Sequence, residues 1–186
     1  MDQGLGVTLT SIEQGYTTAE RTARAYGAPL WSGEWGWFGD PDDFRSRFDR
    51  FLERQNTDLL GSAIWVWKKA CGDPQNDPAA TTSGGGVVLY TCPDGKPLPS
   101  PAFETTALSQ AYPRSAPGRL KSLRSSVTTR DLRLSGSGAG TLDVWVPGPG
   151  RPQATGSGLS GIRLAQQPGG WRFTAHTSGQ YTLHVV

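Results

Sequence analysis

The chain has 186 residues, a formal net charge of +2, 35 % apolar residues and 25 glycines, enough for one domain or for one domain and part of another, rich in loops and strands. So small a charge balance gives no reason to expect a nucleic-acid partner, and no run approaches the roughly 18 apolar residues that span a bilayer. Two cysteines without a CxxC or Cys/His pattern, and two histidines (His176, His184) far along the chain, point to no metal site.

The charge is unevenly placed. Residues 119–186 carry eight Lys/Arg against Asp131 and Asp143, a net +6, which leaves −4 for the first 118 residues. Opposite charges in the two parts suggest two structural units, 1–116 and 117–186.

In chain order, the opening MDQGLGVTLT lacks the basic and apolar segments of a secretory signal. That leaves a cytoplasmic protein or a chain that has lost its true beginning. Residues 17–26 read as a helix capped by Thr17 or Thr18 and ended by Gly27. Pro29–Trp35 reads as a short strand running into a glycine-rich tip. Asp40 then caps a second helix with Pro41 at its first position, and Phe44, Phe48, Phe51 and Leu52 fall on one helical stripe. A second strand is expected over Gly61–Trp67, and a helix–strand–helix–strand order with short links predicts parallel α/β packing.

Residues 72–86 read as a loop, followed by a hairpin-like excursion turning at Pro93–Gly95 and a helix started by Ser100 and Pro101. Cys71 and Cys92 either form a disulfide, worth roughly 3 kcal/mol for a loop of about 20 residues, or remain two free thiols. From Pro117 on, five to seven short β-prone runs separated by Gly, Ser and Pro predict a small β-sandwich. Two parallel strands cannot make a barrel, which needs eight, so the fold class expected for residues 1–116 is the C-terminal part of a (β/α)₈ barrel.

Chemistry concentrates in APLWSGEWGWFGD, residues 28–40, where Trp31, Trp35, Trp37 and Phe38 crowd around Glu34. A carboxylate among aromatic faces suits glycosidic bond cleavage: the carboxylate meets the anomeric carbon and the rings carry the sugar. On spacing alone, Glu34 is equally a surface carboxylate paired to a neighbouring arginine. Trp65 and Trp67 are two residues apart and share a strand face, either at a sugar site or in a core. Lys68 and Lys69 follow, within reach of a substrate hydroxyl or in a solvated turn.

YGAPLWSGEWG, followed some thirty residues later by GSAIWVWKK, resembles strands seven and eight of glycoside hydrolase family 5. The segment ALSQAYPRSAPGRL resembles the link from barrel to β-sandwich in the endoglycoceramidase-like members of that family. The resemblance implies a secreted, cofactor-free retaining glycosidase acting on oligosaccharides or glycolipids. It implies Glu34 as nucleophile, with Trp65, and then Trp67, Trp35 and Lys68, as substrate-binding residues. It also implies an acid/base glutamate after an asparagine, and this chain has no Asn-Glu pair: its asparagines are Asn56 and Asn76. The missing partner is then an N-terminal barrel half. The basic tail offers a peripheral contact with a membrane surface. The rival expectation is a non-catalytic carbohydrate- or glycolipid-binding piece.

Overall fold

The computed structural model describes residues 9–36, 41–65, 67–70, 89–91, 97–98, 102–126, 129 and 131–186. It divides into two compact units, Met1–Gln55 with Leu60–Thr105 and Asn56–Leu59 with Thr106–Val186. Trp37, Phe38, the Asp40 cap, the loop 72–86, the Pro93–Gly95 turn, both cysteines and the Ser100–Pro101 helix start fall outside the described residues.

The first unit runs α1 (Leu9–Ala25), β1 (Trp31–Trp35), α2 (Pro41–Asp58) and β2 (Gly61–Ile64). Helix α1 starts earlier than its threonines suggest. Thr17 and Thr22 turn their hydroxyls back onto the carbonyls of Glu13 (2.8 Å) and Thr18 (3.0 Å), so both sit inside the helix. Its end is the expected one: Gly27 takes φ 62°, while the Gly27 and Ala28 amides bond the Arg24 and Ala23 carbonyls. Phe48, Phe51 and Leu52 of α2 are buried, as the stripe requires. Tyr16 of α1 joins them, its ring 5.5 Å from Phe51. Ion pairs Arg50–Glu13 (2.6 Å) and Arg54–Glu20 (3.5 Å) link the two helices. They are partly exposed and contribute little beside the aromatic contacts.

β1 and β2 pair in parallel, Trp31 with Gly61 and Ser32 with Ser62. A second small sheet joins β3 (Lys68–Ala70) in parallel to β4 (Leu89–Thr91), and β4 in antiparallel to β5 (Pro97–Leu98). The short helix α3 (Ala102–Leu108) follows.

The second unit is one antiparallel sheet of five strands: β6 (Tyr112–Ser115), β7 (Arg119–Ser125), β8 (Leu132–Pro147), β9 (Ala154–Gln167) and β10 (Gly170–Val185). β8 and β10 pair in unbroken register from Pro147↔Gly170 to Leu132↔Val185. β6 pairs with the C-terminal half of β8 and β7 with its N-terminal half. The expected short strands are therefore fused. SGSGAG, residues 135–140, which has the composition of a turn, is the middle of β8. Its glycines admit close neighbours: a Cβ on Gly138 would stand 2.7 Å from Gly118 Cα, and one on Gly136 would meet the Tyr181 ring. Gly118 itself has φ 64° and passes against the Ser137 carbonyl.

Leu132, Leu134, Leu142, Val144, Phe173, Tyr181, Leu183 and Val185 form one core cluster. Within it the Tyr181 hydroxyl donates to the Pro117 carbonyl at 3.1 Å. Burial raises the Tyr181 pKa above the ordinary 10.0. An acid kept neutral in the fold ionises first in the unfolded chain. Its contribution is therefore complete below pH 10 and is lost as pH rises through the folded-state value. Tyr181→Phe is expected to cost about 1 kcal/mol at neutral pH through the lost hydrogen bond. It should also flatten the fall of stability above pH 10, read from melting temperatures across the alkaline range.

Candidate active site

The site is built where β1 and β2 end. Ser32 pairs with Ser62 and Trp35 with Ile64, so Gly33 and Glu34 together face the single residue Ala63. That is a β-bulge, the device that re-aims a side chain at the end of a strand. Glu34 is exposed there, at the C-terminal end of a parallel strand.

The bulge separates the two faces of the pair. Ser32, Ser62, Trp35 and Ile64 share the face turned to the helices. Trp35 is only 5 % exposed, stacks on Phe51 at 4.3 Å, tilts against Phe48 at 5.1 Å, and donates from its indole nitrogen to the Ser62 hydroxyl at 3.0 Å. This corrects the expectation of a sugar-facing ring: Trp35 packs β1 onto α2.

Trp31, Gly61 and Ala63 share the opposite face. The Trp31 indole lies across Gly33 and Gly61: a Cβ on Gly61 would stand 2.6 Å from the ring. It remains 61 % exposed. A cleft of about 260 Å³ runs along this edge of β1, lined by Trp31, Ser32, Gly33, Glu34, Leu30 and Leu60 with Gly15, Tyr16 and Ala19 of α1.

β2 stops at Ile64, three residues short of the expected strand, so Trp65 and Trp67 stand beyond it in irregular backbone. Both are exposed, at 46 % and 55 %. The Trp65 amide donates to the Trp35 carbonyl at 2.5 Å, which ties the tip of β2 to the residue after Glu34. Gly36 makes this approach possible. It has φ 130°, and a Cβ there would stand 2.8 Å from the Trp65 carbonyl oxygen. The second glycine of GEWG is thus a positioning residue that sequence reasoning passed over, although the motif contains it.

Lys68 lies in β3, with its side chain outside the described residues. Of the expected site residues, Glu34, Trp65 and Trp67 are therefore the ones shown to be exposed. Among the described residues, no group of three or more His, Cys, Asp or Glu gathers to hold a metal, and no helix is long and apolar enough to cross a membrane. One carboxylate beside flat apolar rings can attack or stabilise an electron-poor carbon. The same group cannot also protonate a leaving group on the other side.

No protein-family model and no curated protein matches the chain. Solved structures do. The crystal structure of an endogalactoceramidase is similar at 36 % identity and TM-score 0.77, over 94 % of this chain and 37 % of that one. Endo-glycoceramidase II from Rhodococcus sp., in complex with a five-membered iminocyclitol, shares the fold at 22 % identity and TM-score 0.67, over 100 % of this chain and 40 % of that one. Cryptococcus neoformans sterylglucosidase 1 shares it at 14 % identity and TM-score 0.62, over 95 % of this chain and 31 % of that one. The chain therefore spans less than half the length of each. The chain, mostly sheet with a few helices among its described residues, resembles the endoglycoceramidase-like glycosidases of family 5 and matches a (β/α)₈-barrel glycosidase.

Proposed function

We propose that this chain is the C-terminal portion of a retaining β-glycosidase that cleaves glycolipids or oligosaccharides outside the cell, with Glu34 as nucleophile. The observation that carries the reading is the placement of Glu34, on a bulge at the C-terminal end of a parallel strand and tied through backbone to Trp65. Catalytic groups of (β/α)₈ enzymes sit at such strand ends. In this reading residues 1–116 are the last βα units of the barrel and 117–186 a β-sandwich appended to it, its two layers being the two halves of the one sheet, whose long strands β8 and β10 share a single core cluster along their length. The exposed Trp31 face and the cleft beside β1 support the first assignment, because a parallel sheet is normally covered on both sides.

The chemistry follows from two carboxyl groups roughly 5–5.5 Å apart. The Glu34 carboxylate attacks the anomeric carbon while an acid protonates the departing oxygen. A glycosyl ester forms on Glu34, and water, deprotonated by the same second group, hydrolyses it. That second group has no Asn-Glu counterpart in this sequence, so the activity belongs to this chain joined to an N-terminal barrel half. No metal or organic cofactor enters these steps.

Trp65 is the floor for the sugar at the cleavage point, with Trp67 beside it. Its exposed indole supports that role, since stacking on a ring face needs an uncovered face. In the completed enzyme, Trp65→Ala should raise KM and lower kcat/KM by about 10–100-fold, a loss of roughly 1.5–3 kcal/mol in transition-state binding. Steady-state kinetics on an aryl β-glycoside decides; unchanged kcat/KM would remove Trp65 from the site. The exposure of Trp31, Trp65 and Trp67 equally favours a second reading, a carbohydrate- or glycolipid-binding piece without catalysis. Ligand binding by this chain, with no turnover in any assembly, would support it.

A further inference from the structure

The outer face of the second unit carries a pattern that catalysis does not use. In the half formed by β7, the start of β8, the end of β10 and the start of β9, the leucines and Val185 turn into the core. Residues paired across the strands face the same side, so the registers define what the other side presents. One row is Arg124, Arg133, His184 and Thr155. The next is Ser122, Ser135, Thr182 and Ser157, joined by hydroxyl contacts Ser122–Ser135 (2.6 Å) and Ser157–Thr182 (2.9 Å). The third begins with Arg119, Ser137 and Gln180, with Lys121 exposed at a bulge between the rows.

Two features of this face call for a ligand. Arg124 and Arg133 stand directly opposite each other, a like-charge pair that costs stability. The acids of residues 119–186 are only Asp131 and Asp143. Asp143 is held by Arg172 through three contacts of 2.8–3.2 Å. Asp131 is shared between Arg133 (3.5 Å) and His184 Nε2 (2.9 Å). Arg119, Lys121 and Arg124 are exposed with no acid assigned to them among the described residues.

We propose that this face docks on an anionic lipid surface. Guanidinium and ammonium groups on both sides of a hydroxyl row match a layer of phosphate and carboxylate headgroups: the cations supply charge and the hydroxyls donate hydrogen bonds. The rows hold no Trp, Tyr or Phe, so a sugar has no broad apolar face to stack on. The inference is independent of Glu34, and binding without hydrolysis leaves it intact.

The test is cosedimentation of the whole chain with vesicles of phosphatidylcholine alone, or with one part in four phosphatidylserine. Binding is expected only to the anionic vesicles and should weaken steeply with salt. Arg124→Gln with Arg133→Gln should lower the partition coefficient about thirty-fold, while the melting temperature holds or rises as the like-charge pair is relieved. Arg151→Gln with Arg163→Gln removes as much charge from elsewhere in the unit and should change binding by no more than about two-fold. Equal losses for the two pairs would mean that net charge alone is at work, and would overturn the assignment. So would equal binding to neutral vesicles, or binding to duplex DNA without binding to anionic vesicles.

Discussion

Replacing Glu34 with glutamine in the completed enzyme is expected to lower kcat for an aryl β-glycoside by on the order of 10⁴-fold or more. The amide keeps the size and position of the carboxylate but cannot attack the anomeric carbon. Glu34 is exposed on a bulge, so the change should move stability by no more than about 0.5 kcal/mol. A melting curve identical to the parent's, beside the loss of rate, separates missing chemistry from missing fold. The smaller variant Glu34→Ala leaves room for a small external nucleophile. Azide should then partly restore turnover and give a glycosyl azide of inverted configuration. Full activity in Glu34→Gln would remove Glu34 from the reaction.

The largest effect on stability is expected at Phe173. Its side chain is fully buried in β10 opposite Val144 and Leu164, in the single core cluster of the second unit. Phe173→Ala removes the ring and leaves a cavity between paired strands that have little freedom to close. The expected loss is about 3–5 kcal/mol. In a unit of this size that lowers the melting temperature by roughly ten degrees or more, read by calorimetry. A fall of only a degree or two would mean that the sheet does not depend on this core.

What could be read from the residues alone was what is local. The Phe48, Phe51, Leu52 stripe, the Gly27 stop and the strand leading to Glu34 each follow from neighbours within a few positions, and each appears where expected. The start of α1 was misplaced because Thr17 and Thr18 have the chemistry of caps, and only the helix geometry shows Thr17 bonding backward to Glu13. SGSGAG has the make-up of a break between strands because glycine serves turns and close crossings alike. Which use applies depends on Gly118, which lies near Gly138 only through the fold.

The site was legible in the same measure. Glu34 at a strand end came from the local pattern and Trp65 as its partner from the family resemblance, whereas the bulge that exposes Glu34 depends on register with β2. Trp35 was drawn into the site by its neighbour in sequence. A bulge of one residue places it on the helix face, against Phe51. The Arg124–Arg133–His184 row joins residues 60 positions apart in the chain, from 124 to 184, and no periodicity signals it.

In the proposed reaction the glycosyl group is carried on Glu34. The direct measurement is to treat the completed enzyme with an activated 2-fluoro glycoside, whose glycosyl ester forms faster than it hydrolyses, and to locate the added mass by peptide mass spectrometry. A single label on Glu34, formed as activity falls, is the predicted result. A label on another carboxylate, or inactivation with Glu34 unmodified, would contradict it.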